Sequence, residues 1–355
     1  MARKLLWASL ALAPITFVID FAFHPGDVTL FVLAAASLVP LAWLIGESTE
    51  QASEHTGPGI GGFLNASFGN APELIIALFA VADGLPNVVR GSLAGSVISN
   101  LLLVLGVAMA TGETGKPINR NSLLLQLGLV AAAVLVFLAP SVAGWHGNPE
   151  RHSLAVLTAP LAAVLLVLYV VVQTIQLRSF RQTHAASGYA ERAGAWPFRR
   201  ALVALALATA ATAVTSEILV HSLDGFAKAA GLSQFFISIV IVAVVGNAAE
   251  HGGAIVIARR GKMRLATEIA VSSSAQVALF VTPAVALLSW IVTPSLPLTF
   301  RWEELGAMAL ATVLPTRISS SCAGISTAKR SIPSGRSVRI GTGLRRKVVA
   351  ARHAR

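Results

Sequence analysis

Charge is scarce in this 355-residue chain: Asp, Glu, Lys and Arg make up 12% of it. An ordinary soluble domain carries about 25%, so that class is excluded. Cysteine is nearly absent. Cys322 is the only one, which rules out a disulfide within one chain and leaves the redox compartment unread. No cluster of Cys or His offers a soft-metal site. No His-Glu-x-x-His segment is present, and no Ser/His or Asp/Asp arrangement replaces it, so the chain does not read as an enzyme. Acids are missing from residues 315–355, which carry ten Lys or Arg. Residues 1–314 hold the other seventeen basic residues against all sixteen acids, so the formal net charge of +11 belongs to the tail. It is therefore no argument for a nucleic-acid partner.

Hydrophobic residues fill the chain instead, at 55%. Apolar runs of about 17 to 25 residues can each span a bilayer as a helix. Nine runs are read at 6–23, 29–46, 60–82, 91–110, 122–143, 153–176, 200–221, 232–258 and 266–293. A tenth, 302–314, starts and stops short. The runs are continuous rather than alternating, which argues against strands. The expected fold class is all-α, a polytopic membrane protein in a lipid bilayer. Met1-Ala2-Arg3-Lys4 before an apolar run has the outline of a signal peptide. The run is longer than a typical h-region, and Asp20, Phe21 and His24 make a poor cleavage site. A retained first span is expected.

Loop charges orient the spans. With a cytoplasmic N-terminus, Arg3 and Lys4 are inside, together with segments 111–121 (Lys116, Arg120), 177–200 (Arg178, Arg181, Arg192, Arg199, Arg200) and 259–264 (Arg259, Arg260, Lys262, Arg264). That places thirteen basic residues inside and only Arg90, Arg151, Lys228 and Arg301 outside, as the positive-inside rule requires. One inside loop, 47–59, has no Lys or Arg and carries Glu47, Glu50 and Glu54. The expected organisation is a first helix in 1–28, a five-helix repeat in 29–176, a basic cytoplasmic linker in 177–199, an incomplete second repeat in 200–314, and a basic tail in 315–355 that does not span.

Two segments inside these runs nearly repeat: Gly69-Asn70-Ala71-Pro72-Glu73 and Gly246-Asn247-Ala248-Ala249-Glu250. A charge within a span costs about 3 kcal/mol on insertion scales, so function is its default explanation. In the topology above, the Glu73 helix runs outward and the Glu250 helix inward, the pattern of an inverted repeat. Asn and Glu are three residues apart and share a helix face. Small neighbours (Gly61, Gly62, Ala66, Gly69 and Ala71; Gly246, Ala248, Ala249, Gly252 and Gly253) allow two helices to cross closely. Pro72 frees a backbone carbonyl nearby. Carboxylates, amide oxygens and carbonyls together suit a hard cation such as Ca²⁺. Apolar surroundings and a second carboxylate also favour the protonated acid. One site that holds either a cation or protons, with alternating access, performs exchange.

Each motif helix is followed by a polar-flecked one. Ser96, Ser99 and Asn100 lie in the fourth span, and Ser272, Ser273 and Gln276 in the ninth. The steps from Ser96 to Asn100 and from Ser272 to Gln276 keep one helix face. These groups complete a cation shell or orient the glutamates; hydrogen bonding between helices is the plainer reading for the serines. Glu50 and Glu217 form a second acidic pair, a candidate entry path for cations or protons, with Glu217 deep in its span and in need of a partner or water; for Glu50, as for Glu47 and Glu54, a solvated loop face is the favoured reading. His251 adjoins Glu250 and is a candidate to share its proton, with packing as the alternative.

The motifs at 69–78 and 246–251, with supporting stretches at 46–51, 95–106 and 272–283, resemble the calcium/proton antiporters of the cation/calcium exchanger superfamily. The resemblance covers residues 1–314. Sodium/calcium exchangers of that superfamily typically carry Gly-Thr-Ser or Gly-Asp-Ser where this chain has Gly-Asn-Ala, which favours protons as counter-ion. It implies eleven helices, an extra first one plus two inverted sets of five. It implies that Glu73 and Glu250 bind the cation and exchange it for protons, assisted by Asn70 and Asn247, with no cofactor beyond the transported Ca²⁺ and H⁺. It implies a bacterial inner membrane as the location. Na⁺ or K⁺ as cargo, or a passive cation channel, are the alternatives. The family pattern continues past Trp302-Glu303-Glu304-Leu305, whereas here the apolar run ends at Leu314. A reading-frame shift near position 315 accounts for that; a basic tail on anionic lipid is the alternative.

Overall fold

The computed structural model describes residues 2–111, 119–184, 196–292 and 295–330, with side chains also left undescribed at 2–3 and in parts of 57–66, 177–184 and 317–330. It divides at Thr316 into two units, Met1–Thr316 and Arg317–Arg355. No strand occurs among the described residues. The helices, in order, are α1 (Ala2–Ser9), α2 (Leu12–Phe23), α3 (Asp27–Phe68), α4 (Ala71–Ala82), α5 (Pro86–Ile98), α6 (Leu105–Thr111), α7 (Arg120–Trp145), α8 (His152–His184), α9 (Phe198–Ala230), α10 (Gln234–Ile237), α11 (Ala243–Gly246), α12 (Ala248–Arg259), α13 (Met263–Gln276), α14 (Thr282–Val292) and α15 (Trp302–Arg330). Three π-helical segments join pieces of one span: Ser99–Val104, Ser238–Val242 and Val277–Val281.

Among the described residues seven helices are long and apolar enough to cross a membrane: Lys4–Phe23, Asp27–Thr56, Pro86–Thr111, Arg120–Trp145, His152–Gln176, Phe198–Ala230 and Met263–Val292. Gln234–Gly246 and Ala248–Arg259 form an eighth if a 63° bend is allowed. The surface fits a bilayer. Phe21, Leu135, Val167, Leu207 and Ile291 are among many large apolar side chains left exposed, whereas a water-soluble surface rarely carries a large apolar patch.

Three expectations change. The segment 47–59 is not a loop, because α3 runs through it to Phe68. Its polar residues are spaced for a helix: Gln51 Nε2 donates to Glu47 Oε1 at 3.3 Å and Ser53 Oγ to the Thr49 carbonyl at 2.7 Å. The run 60–82 is not one span, because α3 ends at Phe68 and the short α4 begins at Ala71. Gly69 and Asn70 separate them, and Pro72 sits at the start of α4, where its missing N–H costs nothing. The tenth helix does not stop at Leu314 either. α15 continues to Arg330 with Pro315 inside it. Residues 331–355, most of the expected tail, lie outside the described residues, as does most of the linker at 185–195.

The core is apolar and continuous, built on Phe31, Leu38, Ile76, Leu101, Phe137, Leu219 and Leu279 from both halves of the chain. α3 packs along α9, where Phe31 stacks on Phe226 at 4.2 Å between ring centroids. At the other end of α9, Trp196 is clamped. Its N–H donates to Gln51 Oε1 at 2.9 Å, His55 Nε2 lies 2.7 Å from its carbonyl oxygen, and its ring meets Trp7 at 5.9 Å and the Arg200 guanidinium at 5.0 Å.

Candidate functional site

The two motifs break their helices at the same place. Asn70 (φ −99°, ψ 13°) is the N-cap residue of α4 and Asn247 (φ −90°, ψ 11°) that of α12. Glu73 and Glu250 therefore occupy the third position of a first helical turn. There the unpaired N–H groups and the helix dipole favour negative charge. The expected shared face of Asn and Glu is replaced by a cap-and-first-turn arrangement, repeated in both halves.

The motifs meet. A methyl group built on Gly246 would stand 3.4 Å from Glu73 Cγ, so the two motifs are in van der Waals contact there. Glu73 is 6% exposed, and neither of its carboxylate oxygens has a hydrogen-bond partner among the described residues. Beside it lies a small cavity lined by Glu73, Ser92, Ser96 and Gly246 with Ile76, Leu93 and Val242. Of the expected small neighbours, Gly252 and Gly253 face open space, and the side-chain surroundings of Gly61, Gly62 and Ala66 lie outside the described residues.

Amides stitch the halves together around the carboxylates. Asn70 Nδ2 donates to Gln276 Oε1 at 2.7 Å. Asn247 Nδ2 donates to Ser96 Oγ at 2.8 Å and to the Ala243 carbonyl at 2.9 Å. Asn100 Nδ2 donates to Asn247 Oδ1 at 3.2 Å and to Ser273 Oγ at 2.9 Å. The Ser273 hydroxyl donates to Glu250 Oε2. Asn100 Oδ1 is buried with no hydrogen-bond partner among the described residues. Ser99 Oγ donates to the Ser96 carbonyl at 3.2 Å and lies 3.5 Å from His251 Nε2.

The structure thus gathers Glu73, Glu250, Asn70, Asn247, Asn100, Gln276, Ser96, Ser99, Ser273 and His251 into one buried or half-buried polar cluster. Three candidates fall outside it. Ser272 turns its hydroxyl onto the Ile269 carbonyl of its own helix at 3.3 Å. Glu50 and Glu217 are exposed, on α3 and α9; His221 Nδ1 lies 3.1 Å from the Glu217 carbonyl oxygen. Glu217 is therefore not buried deep in a span, because it faces outward from α9.

The cluster also contains a residue that the motif reading passed over. Ser274 donates to the Val97 carbonyl at 3.3 Å, a bond from α13 to α5. Its place in the serine run at 272–274 was the available signal. Among the described residues no three His, Cys, Asp or Glu side chains stand close enough to hold a metal ion. The oxygen set is two carboxylates plus amides and hydroxyls, which fits a hard, partly hydrated cation and no soft one.

Comparison with known proteins identifies the family. The family profile described as sodium/calcium exchanger protein matches residues 27–178 and 200–328, running past Leu314, where the sequence reading ends the resemblance. A Ca(2+)/H(+) antiporter ChaA from Bacillus subtilis (strain 168) is 38% identical over 312 residues, covering 85% of this chain and 88% of its own length. A Ca(2+)/H(+) antiporter from Aphanothece halophytica is 34% identical over 322 residues, 84% of this chain and 85% of that one. The solved structure of native YfkE superimposes with a TM-score of 0.74 at 33% identity, covering 91% of this chain and 96% of that chain.

Proposed function

The chain belongs to the sodium/calcium exchanger protein family, and we propose that it exchanges Ca²⁺ for protons across a membrane by alternating access at Glu73 and Glu250. One observation carries the reading: a buried carboxylate with no hydrogen-bond donor, Glu73, set against the second motif at Gly246. An ion left so is costly. It is relieved by a proton or by a cation, and the two compete for the same oxygens. Ca²⁺ is cargo here and not a resident cofactor.

Glu73 and Glu250 supply charge, at the first turns of α4 and α12. The Asn100 side-chain oxygen, buried with no hydrogen-bond partner among the described residues, is an amide oxygen open to a cation, whereas those of Asn247 and Gln276 already accept from Asn100 and Asn70. Asn70, Asn247, Ser96 and Ser273 hold the two broken helices in register, and the Ser273 hydroxyl hands its proton-side bond to Glu250. His251 and Ser99 close the cluster on one side. The exposed Glu50 and Glu217 collect cations or relay protons towards it.

The surroundings follow from the same reading. The two motif helices are inverted copies, supported by the matching breaks at Asn70 and Asn247. The N-terminus is cytoplasmic, supported by thirteen basic residues on one side against four on the other, and the membrane is a bacterial inner one, supported by the similarity to a bacterial antiporter.

Proteoliposome flux tests the proposal. Ca²⁺ uptake is driven by an imposed pH gradient and abolished in Glu73→Gln and in Glu250→Gln. Cation flux that ignores the pH gradient would make the protein a passive channel and overturn it. Proton flux driven by Na⁺ or K⁺ but not by Ca²⁺ would change the cargo.

A further inference from the structure

A buried cation stands where the exchange reaction does not use it. Arg90, in α5, is 4% exposed. Its Nη1 donates to Glu150 Oε1 at 2.7 Å and to Thr299 Oγ1 at 3.4 Å, and its Nη2 to Asn87 Oδ1 at 3.0 Å. Asn87 Oδ1 also accepts from Arg301 Nη2 at 3.0 Å. The Arg301 backbone N–H donates to Glu304 Oε2 at 2.8 Å, and the Arg301 guanidinium lies 5.4 Å from the centre of the Phe235 ring. Thr299 Oγ1 donates in turn to the Pro149 carbonyl at 3.0 Å. Glu150, Arg90, Asn87, Arg301 and Glu304 therefore form one line of contacts across α5, the α7–α8 connection, the strap 295–301, buried over 296–300, and the start of α15. The network borders a vestibule of about 360 Å³.

We propose that Arg90 is a positioning residue for the ion site: it pins α5 from behind so that the front of α5 meets Glu73 and Asn247. The helix supports this directly. At 100° per residue, Arg90 lies about 160° around α5 from Ser92 and about 120° from Ser96, and both serines line the cavity beside Glu73. A third face of α5 is fixed by Gly91 and Gly95, whose missing side chains admit the π-helical segment Ser238–Val242. Ser96 is six residues beyond Arg90, about 9 Å along the axis, and accepts the Asn247 amide at 2.8 Å. A shift of the pinned end thus moves the acceptor of Asn247. The inference rests on the Ca²⁺/H⁺ exchange reading.

Burial predicts an asymmetry that tests it. The Glu150 side chain is 36% exposed and the Arg90 side chain 5%. Removing Glu150 strands a buried cation, whereas removing Arg90 leaves a hydrated carboxylate. In proteoliposomes, Arg90→Gln raises the KM for Ca²⁺ about threefold to tenfold, with Vmax per folded protein kept. Glu150→Gln raises KM further, the double variant falls back to the Arg90→Gln value, and Arg90→Lys recovers part of the loss. Independent addition of the two single effects would overturn the proposal. So would an unchanged KM with only yield or Vmax lowered. If Arg90→Gln does not fold, Asn87→Ala removes one branch of the network and carries the same KM test. Failure of the wild-type protein to exchange Ca²⁺ for protons sinks the functional reading instead, so the two failures are distinct.

Discussion

At the scale of single residues, the site is a set of amides that bond one another across the two halves while the Asn100 oxygen has no hydrogen-bond partner among the described residues. Asn247 is the tightest case. It accepts from Asn100 and donates to Ser96 and to the Ala243 carbonyl, while only 1% exposed. Asn247→Ala is therefore expected to destabilise the protein by about 1–3 kcal/mol through groups left unpaired, read as a lower melting temperature in detergent, and to weaken Ca²⁺ transport. Ser272→Ala is the contrast. That hydroxyl serves only its own helix, so the change stays within about 0.5 kcal/mol and leaves the KM for Ca²⁺ as it was. A raised KM in Ser272→Ala would return that serine to the cation shell. Spacing alone could not separate Ser272 from Ser273. Both are in the right helix, one residue apart, and only the rotation of α13 decides which one reaches Glu250.

At the scale of elements, the repeated segment is a device for breaking a helix inside apolar surroundings. The carboxylate and the amide were legible because they are expensive there. The break was less so: Pro72 hints at it in the first motif, but the second has no proline and only Gly246 and Asn247 to disfavour a helix. The acidic stretch 47–59 failed differently. Its three glutamates and the Gly57-Pro58-Gly59 sequence imitate a loop, but their spacing also suits a helix, and α3 takes it. Close packing of α5 against the second half is the element most open to test. A methyl group on Gly95 would collide with the Ile239 carbonyl oxygen and stand 2.8 Å from Ala243 Cβ, whereas Gly106 has nothing within 4 Å. Gly95→Ala should push the π-helical segment off α5, lowering both melting temperature and transport. Gly106→Ala should be neutral or stabilising by up to about 1 kcal/mol, because alanine is the better helix former. Equal melting temperatures for the two variants would show that α5 has slack.

At the scale of the whole molecule, the hydrophobic runs made an all-helical membrane protein readable, but not where a run is broken. The first motif run divides between α3 and α4, and the second bends by 63°. The orientation of the bundle rests on loop charge, and the structure adds one geometric fact. Arg90 and Arg301, far apart in sequence and both expected outside, share Asn87, so they lie at one end. Cys322 is the only native cysteine, so a single Cys322→Ser substitution gives a clean background for labelling. In that background, Asn148→Cys sits in the exposed α7–α8 connection near Arg90, and Arg260→Cys in the exposed turn after α12. With a cytoplasmic N-terminus, an impermeant maleimide added to intact cells labels Cys at 148 and spares Cys at 260, and inverted vesicles give the opposite pattern. The reverse result would turn the bundle over. It would place the thirteen basic residues outside, against the bias that loop charge imposes during insertion.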